Sequence, residues 1–455
     1  MSTIGETPID LHITPIDGRN FYKLKILSTY FSERAINSSR IFVETEYLKW
    51  LSKYKIIRTF TKNENTILDT LSNLTTTDYQ AIRDIESKTN HDAKAVELFI
   101  QQKLAKTTLR DVSQMIHFGL TSDDINSTAY ARCINQSLVD VYHPILHDIF
   151  LTLQAQAKKF KTVPMLARTH GQPANGTTYG KELGIYAYRL KECLHLLKTK
   201  KISGKCSGNV GNFNAQYVIV PSIHWISFAK TFLSHIAVPN TPMATQIAPY
   251  DSYIQLFQTL EHINLILLGL SKDLWTYASF GLLTQKRIST EVGSTALPHK
   301  INPIYLEGAE GGFEIANSLL EGYVRKLSYS RLQRDLSDST IRRSFSIMFS
   351  YCLLSYQSIL EGLHRLAPNV DAMKNELASH LEILSEVIQT ALRKEHIPDA
   401  YDTAKEFFRG ETHTLVEIQN FIATLPLPVA RKKQLLALSP VSYTGLAKKL
   451  VETYV

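Results

Sequence analysis

Cysteines and long apolar runs are both scarce in this sequence, and each scarcity excludes a class of protein. The four cysteines, Cys133, Cys193, Cys206 and Cys352, lie far apart and form no C-x-x-C pair. We therefore expect neither a disulfide framework nor a structural zinc site, and we predict buried thiols instead. No apolar run reaches the roughly 18 to 20 residues that cross a bilayer, and the longest candidate is interrupted at Asn264, so we expect no membrane-spanning helix.

Signals for targeting and for dinucleotide binding are also missing. The N-terminal residues MSTIGETPIDLH contain neither a basic start nor an apolar block, so we expect no secretory signal and a cytoplasmic location. Gly204, Gly208 and Gly211 do not form the G-x-G-x-x-G motif, and no strand-rich stretch precedes them, which argues against a dinucleotide-binding domain. The chain contains no internal repeat and no low-complexity tract.

The composition is that of an ordinary globular protein with an excess of positive charge. Hydrophobic residues make up 44% and charged residues 20% of the 455 residues, a length that predicts two or three folding units. The net charge of +8 and the isoelectric point near 9.0 are compatible with nucleic acid, a membrane surface or a small anion. Basic residues cluster only at Lys198–Lys201 and Arg431–Lys433, without the aromatic-flanked repeats that bind single strands. We therefore favour a small polyanionic metabolite over nucleic acid or a membrane.

Apolar residues recur at helical spacing along most of the chain. From Leu256 to Leu274 they lie three and four residues apart, which predicts a long core helix of a bundle over residues 252–278. Similar patterns run from about Leu138 to Lys201, with one short break, and from Ile347 to Leu366. After residue 371 the helical segments are shorter and are broken by prolines, which indicates a smaller helical domain. No convincing series of strands is present, so we predict an all-α fold.

A segment with many reactive groups interrupts this pattern at Glu291–Pro303, EVGSTALPHKINP, which we name the signature loop. Gly293 favours turn conformations, and Pro298 and Pro303 each remove a backbone donor and restrict the preceding residue, so the segment should not be helical. It contains hydroxyl, imidazole, ammonium and carboxamide groups. A polar loop that contacts only water would have a similar composition, but loops carry functional groups more often than core elements do.

The signature loop resembles the mobile loop of the fumarase and aspartase superfamily, which reads roughly Gly-Ser-Ser-x-Met-Pro-x-Lys-x-Asn-Pro. The matching positions are Gly293, Ser294, Pro298, Lys300, Asn302 and Pro303. In that superfamily the first serine of the loop is the general base. The resemblance therefore implies that Ser294 is the catalytic base of this protein.

Other polar clusters precede predicted helices, and each has a structural as well as a functional interpretation. Asn90, in TNHDAKAVE, could cap the helix that follows, and the N-terminus of the same helix could bind an anion. Thr121 and Ser122, in HFGLTSDDIN, would most simply cap the next helix. Gln246, considered alone, would face solvent.

His170 lies in Arg168–Ala174, the polar break between two amphipathic runs. A lone histidine is more often a satisfied structural group than a catalyst. The backbone breakers Gly171 and Pro173 could nevertheless leave its ring exposed and oriented, which favours a functional role.

Arginines form two further candidate groups. The segment Arg331–Arg343 contains two arginine clusters that flank hydroxyl groups. These arginines could bind a phosphate, or they could form a salt-bridged face with Asp335 and Asp338, and composition does not decide between the two. Arg19, which follows a turn, could be solvated or could clamp a phosphate with its planar guanidinium.

The order and spacing of TNHDAKAVE, HFGLTSDDIN, RTHGQPA, TQI, QRDLSDST and the signature loop resemble the adenylosuccinate lyase family over nearly the whole chain, in its bacterial form. The resemblance implies an almost entirely helical subunit of three domains, at residues 1–110, 111–366 and 367–455. It also implies that long helices of the central domain form the core of a homotetramer. Each active site would then combine residues from three subunits.

The family reaction is a β-elimination that releases fumarate from adenylosuccinate, giving AMP, and from the succinocarboxamide ribotide SAICAR, giving AICAR. A Cβ proton is removed, the carbanion is stabilised as a dianionic carboxylate, and the C–N bond breaks as nitrogen is protonated. The resemblance makes Ser294 the base and His170 the acid, and implies no metal or organic cofactor. A serine hydroxyl acts as a base only where positive charge and amide donors favour its alkoxide.

The resemblance also assigns residues to substrate binding. The phosphate and ribose side would be held by Arg19, Arg334, Ser339 and Arg343. The carboxylates would be bound by Lys300 and Asn302. The remaining substrate-binding positions are Asn20, Asn90, His91, Asp92, Thr121, Ser122, Gln246, Ile301 and Thr340.

Several positions depart from the family pattern and bear on substrate choice. Asn20 replaces a tyrosine, Tyr250 a histidine and Gly308 an asparagine, and Ala296 lacks a hydroxyl that the family has. Alternatives to the family reaction are a divergent superfamily lyase acting on another fumarate-yielding adduct, a non-catalytic helical scaffold, and a basic nucleic-acid-binding module. Packing alone requires none of the predicted catalytic side chains, which argues against a scaffold, and the scattered charge argues against nucleic acid.

Overall fold

Helices form nearly all the regular structure of residues 12–455, which are the residues described by a computed structural model. The first part of the chain contains α1 (Phe21–Leu24), α2 (Ser28–Phe31), α3 (Glu33–Lys53), α4 (Lys62–Thr70), α5 (Thr76–Thr89), α6 (Asp92–Leu104), α7 (Ser122–Ser137) and α8 (His143–Lys159). The middle contains α9 (Tyr179–Thr199), α10 (Asn214–Ile219), α11 (Trp225–His235), α12 (Asp251–Ser279), α13 (Ile304–Leu327), α14 (Ser337–Arg343) and α15 (Phe345–Arg365). The last part contains α16 (Val370–Ser379), α17 (Ser385–Lys394), α18 (Ala400–Phe408), α19 (Leu415–Thr424), α20 (Val429–Leu436) and α21 (Ala447–Tyr454). The predicted all-α fold is confirmed, and α12 and α15 are the two long helices expected from apolar spacing.

Short helical turns complete the helical structure. The 3-10 turns are Lys25–Leu27, Arg110–Met115, Leu381–Leu384 and Pro440–Ser442. A π-helical turn, Leu138–Tyr142, joins α7 to α8. None of the helices described has both the length and the hydropathy of a bilayer span.

Two small antiparallel sheets are present that the sequence did not predict. In the first, β1 (Pro164–Thr169) pairs with β2 (Gln172–Thr178). In the second, β3 (Leu283–Gln285) pairs with β4 (Leu366–Pro368). These two short pairs do not make a series of strands, and the sequence did not indicate them because PMLART and QPANGTT lack the alternating apolar pattern and the β-branched enrichment that indicate strands.

The chain divides into two compact units. Unit 1 consists of the described residues up to Leu146, with Cys193–Leu265 and Gly311–Tyr356, and unit 2 consists of His147–Glu192, Ile266–Glu310 and Gln357–Val455. Helices α8, α9, α12, α13 and α15 contribute residues to both units. The division into three domains at residues 110 and 366 stays a prediction.

The core of unit 1 includes aromatic contacts and a satisfied buried amide. Phe345 packs edge-on against Phe257 and Tyr323, with ring centroids 5.2 and 5.3 Å apart. Asn264, which interrupts the apolar run of α12, is fully buried. Its side-chain nitrogen donates to Asn317 at 2.9 Å, and its oxygen accepts from the Tyr356 hydroxyl at 2.6 Å. Because an unsatisfied buried amide would cost about 1–3 kcal/mol, these bonds explain how the core accommodates Asn264.

Unit 2 contains a hydrophobic cluster formed by the short C-terminal helices. Its buried members include Ile388, Leu392, Ile418, Ile422 and Leu425. The rings of Phe407 and Phe421 stack on each other, with centroids 4.0 Å apart, and both pack against this cluster.

Two earlier expectations concern the cysteines and the N-terminus. All four cysteine thiols are buried, as predicted. The expectation of no secretory signal depends mainly on residues 1–11, which lie outside the described residues.

Candidate active site

The signature loop connects β3 to α13 through irregular backbone, as the sequence predicted. Its closure requires Gly293, because a Cβ atom there would lie 1.8 Å from the carbonyl oxygen of Lys300. The side-chain amide of Asn302 donates to the Gly293 carbonyl oxygen at 2.7 Å and closes the same turn. Ser294 therefore follows directly after the point at which the loop closes on itself.

Ser294 is half-buried and receives hydrogen bonds from its own loop. Its Oγ accepts from the backbone N–H of Ala296 at 3.3 Å and of Leu297 at 3.0 Å. Hydrogen bonds donated to an oxygen favour its charged form. The loop thus supplies the type of donor that an alkoxide requires.

A cleft of about 470 Å³ in unit 2 adjoins the signature loop, and most of the charged residues that line it are basic. Its basic lining residues are Lys286, Arg287, His299, Lys300 and Arg365. Glu291 also lines the cleft, and its hydrogen bond with Arg365, at 2.6 Å, lowers the pKa of this carboxyl group. Ile301 and Asn302, both predicted to contact substrate, line the same cleft. Its charge suits the binding of carboxylates.

His170 occupies the tip of the hairpin formed by β1 and β2. The turn consists of His170 and Gly171, with φ of 55° and 74°, between the paired residues Thr169 and Gln172. Positive φ at both residues is the pattern of a type I′ turn, and it is costly for a histidine. The ring is exposed, and among residues 12–455 it forms no hydrogen bond, either with the signature loop or elsewhere. The interpretation of His170 as a satisfied structural histidine is therefore not supported.

The hairpin is anchored in unit 2 by packing and by charge. Leu166 of β1 is buried with Leu377 and Ile383. The Arg168 guanidinium forms an ion pair with the carboxylate of Glu376. These contacts restrain the hairpin close to its tip and offset the conformational cost at His170.

In unit 1 the junction between α5 and α6 differs from the predicted cap. Asn90 is the C-cap of α5 in the left-handed conformation, with φ of 51°. His91 is the N-cap of α6, and its Nδ1 accepts from the Lys94 N–H at 3.2 Å. The expectation that Asn90 caps α6 was wrong, because the left-handed turn at Asn90 places the next residue at the helix start.

Asp92, the first residue of α6, is bonded to two arginines. Its carboxylate accepts from Arg40 at 2.6 Å and lies 3.5 Å from the Arg343 guanidinium. Burial of Asp92 favours the neutral acid, but Arg40, the backbone N–H of Ala93 and Arg343 together outweigh this effect and lower its pKa. The Arg343 side chain is 61% exposed, so it keeps donors free for an anion from solution.

Arg334 connects two other predicted residues. Its Nη1 donates to Ser122 Oγ at 3.5 Å and to Gln246 Oε1 at 3.4 Å, and its Nε is buried without a partner in the described chain. Gln246 is half-buried and also donates to Asn209 at 2.7 Å, so the expectation that it faces solvent was wrong. Two long hydrogen bonds and an orphaned donor leave the guanidinium underused, as expected of a group that binds an external anion.

Behind these arginines lies a buried ion-pair network. Arg342, 3% exposed, bonds Asp123 at 2.7 Å and lies 3.3 Å from Asp338. The buried Tyr250 hydroxyl donates to Asp338 at 2.7 Å. The salt-bridge interpretation of this arginine segment is therefore correct for Arg342, while Arg334 and Arg343 retain unused donors. Tyr250, which departs from the family pattern, thus donates a hydrogen bond within this buried network.

The start of α7 confirms one predicted cap. Thr121 is the N-cap of α7, and its backbone N–H donates to the Asp124 carboxylate at 2.8 Å. Asp124 in turn forms a fully buried ion pair with Lys205 at 2.6 Å. These contacts position the first turn of α7, which carries Ser122.

Four further predicted residues have no bond to this group. Arg19 is exposed in the turn before α1, and Asn20 is the N-cap of that helix. Ser339 is half-buried and Thr340 is exposed in α14. Within residues 12–455, no side-chain hydrogen bond joins these four to the other predicted residues.

Sequence reasoning missed two groups next to these residues. Arg40, which binds Asp92, lies inside α3 with no turn or motif to mark it. His117 is the first residue of the motif HFGLTSDDIN, from which no role for it was predicted. Its Nδ1 lies 2.6 Å from Glu44. Burial lowers the pKa of His117, but the Glu44 carboxylate outweighs burial and raises it. The one signal in the sequence was Glu44, a glutamate on an otherwise apolar face of a predicted helix, which indicates a buried carboxylate that needs a partner.

Comparison with solved structures first defines the class. A crystal structure of fumarate lyase from Mesorhizobium sp. BNC1 matches with a TM-score of 0.76 at 16% identity, over 94% of this chain and 97% of that one. At this identity the likeness concerns the fold alone. This chain therefore has the fold of that fumarate lyase.

Sequence comparison then identifies the family. The family described as lyase matches residues 27–313, and the family described as adenylosuccinate lyase C-terminal matches residues 330–444. Adenylosuccinate lyase from Legionella pneumophila is 39% identical over 447 residues, which cover 97% of this chain and 98% of the relative. The enzyme of that name from Dictyostelium discoideum is 41% identical over 449 residues, covering 95% and 96%. This chain belongs to the adenylosuccinate lyase family, so the prediction of a lyase is confirmed and the alternatives are not favoured.

Proposed function

We propose that this protein releases fumarate by β-elimination from adenylosuccinate, giving AMP, and from SAICAR, giving AICAR. One observation carries the proposal: in a chain of this family, Ser294 Oγ receives two backbone N–H bonds beside a cationic cleft. That arrangement is the local chemistry that proton removal by a hydroxyl requires.

Ser294 is the general base in this proposal. The N–H groups of Ala296 and Leu297, together with the Lys300 ammonium of the same loop, favour its alkoxide, which takes the Cβ proton of the succinyl group. The electron pair left on Cβ delocalises into the adjacent carboxylate, which becomes dianionic. Lys300 and the other cations of the cleft stabilise that charge, and one preorganised donor is typically worth roughly 100- to 1000-fold in rate.

His170 is the general acid. As the C–N bond breaks, its electron pair passes to nitrogen, and the protonated ring of His170 donates a proton to that atom. Ser294 thus gains one proton, His170 loses one, and the new C=C bond belongs to fumarate. The exposed ring at an anchored hairpin tip supports this role. These steps use side chains and backbone of the protein, without a metal or organic cofactor.

Arg334 and Arg343 bind the phosphate side of the nucleotide, together with Arg19 and Ser339. The unused donors of Arg334 and the exposure of Arg343 support this assignment. Asn20, Asn90, His91, Thr121, Ser122, Gln246, Ile301, Asn302 and Thr340 are proposed to complete the substrate pocket. One N–H of the Asn302 side chain donates to the Gly293 carbonyl oxygen and closes the signature loop. Its oxygen and its second N–H therefore remain to bind substrate.

Each active site is proposed to form between subunits of a homotetramer in the cytoplasm. Large apolar side chains on the long helices are exposed in the single chain, including Leu265 and Trp275 of α12 and Ile315 of α13. Exposed apolar surface of this kind favours self-association. The absence of any bond between His170 and the signature loop in the described chain also fits a site shared between chains.

The substrate assignment is tested by incubating the purified protein separately with adenylosuccinate and with SAICAR while fumarate is measured. We expect release from both. Release from only one would remove the other from the proposal, and release from neither would contradict it.

The catalytic assignment is tested with Ser294→Ala and His170→Ala. Each should lower kcat by about 100-fold or more while the protein stays folded. If the two groups come from different chains, dissociating, mixing and reassembling the two variants should restore part of the activity, whereas each variant treated alone should stay inactive. Near-normal turnover in either variant would remove the role of that residue.

A further inference from the structure

A second basic site lies in unit 1, and none of its lining residues is among those proposed to act on the substrate. It is a cavity of about 430 Å³. Its basic lining residues are Arg132, His143, Lys198, Lys200, Lys201 and His235. Neither aspartate nor glutamate is among its lining residues. The segment Lys198–Lys201 is a basic block of the sequence that the proposed reaction does not use.

The fixed cations of this basic pocket lack carboxylate partners. In the part of the chain that the structure describes, Arg132, Lys198, Lys200 and Lys201 form no ion pair. Glu46 bonds the lining residue His235 at 3.0 Å and also Lys49 at 2.6 Å, so it pairs with none of these four cations. Asp140 accepts from Tyr30 at 2.7 Å and from Gln136 at 2.9 Å. Four like charges around one cavity repel one another, and a bound anion would relieve that repulsion.

Two other features indicate a built pocket. The Arg132 guanidinium lies over the Phe42 ring, 4.2 Å from its centroid, and this contact restrains its direction. His143 Nδ1 is buried and has no hydrogen-bond partner among residues 12–455. Both burial and the neighbouring Lys198 lower the pKa of His143, and so favour its neutral form.

The pocket is separate from the arginines proposed to bind substrate phosphate. Ser122, bonded to Arg334, is the first residue of α7, whereas Arg132 lies near the other end of this helix. At 1.5 Å per residue, the backbone positions of Ser122 and Arg132 are about 15 Å apart along the helix. The π-helical turn Leu138–Tyr142, which follows α7, contributes Leu138 to the pocket wall, and such turns occur frequently at functional sites.

We propose that this basic pocket binds a small molecule that carries two or more linked phosphate groups. One phosphate group has a charge of about −2, which is less than the charge of the four fixed cations, whereas linked phosphates match it. The cavity volume falls in the usual range of small-molecule sites, about 300–1,000 Å³. A nucleic-acid strand would instead need an extended groove with several stacking aromatic side chains.

Calorimetric titration of the full-length protein with inorganic triphosphate at low salt tests this proposal. It is done in the Arg334→Ala background, which weakens binding at the proposed substrate site. We expect one triphosphate per chain, with affinity that falls as salt is added. Adding Lys198→Glu and Lys200→Glu should weaken binding at least about tenfold, while fumarate release in the wild-type background should not change.

The matched control is Lys448→Glu with Lys449→Glu, which makes the same change of charge on the exposed face of α21 and should leave binding unchanged. If charge reversal in the pocket lowers the melting temperature, the milder pair Lys200→Gln and Lys201→Gln replaces it and should also weaken binding. Orthophosphate should bind more weakly than triphosphate.

The proposal would be overturned if the pocket variants bound triphosphate as tightly as the Arg334→Ala protein does, or if the Arg334→Ala protein did not bind it. Tighter binding of a single-stranded oligonucleotide than of triphosphate would also overturn it, because it would assign the surface to nucleic acid.

Discussion

The two units hold their candidate functional groups in opposite ways. In unit 1, Arg334 and Arg343 lie beside a network in which Arg342 is buried with two carboxylates. In unit 2, Ser294 and His170 lie on turns, where their positions depend on backbone conformation at Gly293 and Gly171. The groups proposed to bind substrate are thus positioned by buried ion pairs. The groups proposed to transfer protons are positioned by local backbone geometry.

Because of this difference, a comparable substitution should have different consequences in the two units. Breaking a buried ion pair leaves a desolvated charge, and the cost falls on the stability of the whole fold. An exposed turn buries little apolar surface, so its distortion costs little stability but displaces reacting groups. The comparison therefore predicts a loss of stability in unit 1 and a loss of activity in unit 2.

The largest effect on stability is expected from Arg342→Ala. It leaves Asp123 and Asp338 buried without their cation, and should lower the free energy of unfolding by about 3–5 kcal/mol. Urea denaturation measures the change. Arg331→Ala is the matched control, because that side chain is 84% exposed and lies 3.9 Å from Asp335, and its effect should be within about 0.5 kcal/mol. Equal effects of the two variants would contradict the buried-network account.

Gly293→Ala should lower activity but not stability, the reverse of what is expected for Arg342→Ala. The added Cβ would lie 1.8 Å from the Lys300 carbonyl oxygen, so the signature loop must shift and kcat should fall roughly 100-fold, with little change in melting temperature. Gly311→Ala in α13 is the control, because its added Cβ meets nothing within 4 Å. The control should keep full activity and gain about 0.5–1 kcal/mol of stability. A melting temperature lowered as much as by Arg342→Ala would remove the distinction between the units.

The smallest effect is expected from Arg334→Ala. Loss of a charged hydrogen-bonding group should raise KM about 10- to 100-fold and change kcat less. Steady-state kinetics of fumarate release separate the two constants. Arg331→Ala, from the same segment, should keep a normal KM; a rise in its KM equal to that of Arg334→Ala would show that any loss of positive charge near α14 suffices.

Sequence reasoning succeeded where the signal was local and failed where it was not. The long helices α12 and α15 and the irregular signature loop were predicted because apolar spacing, glycine and proline act over a few residues. The cap at Asn90 and the exposure of Gln246 were predicted wrongly. Gln246 is held by Arg334 and Asn209, residues distant in the sequence. The proton-transfer roles of Ser294 and His170 stay predictions.

The helical fold class and the lyase family can be read from the residues alone, because helical periodicity and contiguous motifs do not depend on distant partners. Which arginine is buried, and which two keep donors free, depends on how the chain folds. Arg342, Arg334 and Arg343 look alike in the sequence. They differ in burial, because the fold encloses Arg342 together with Asp123, a residue distant in the sequence. The backbone donors to Ser294 Oγ were likewise decided by the folded loop, since the direction of an N–H group depends on backbone conformation and not on residue type.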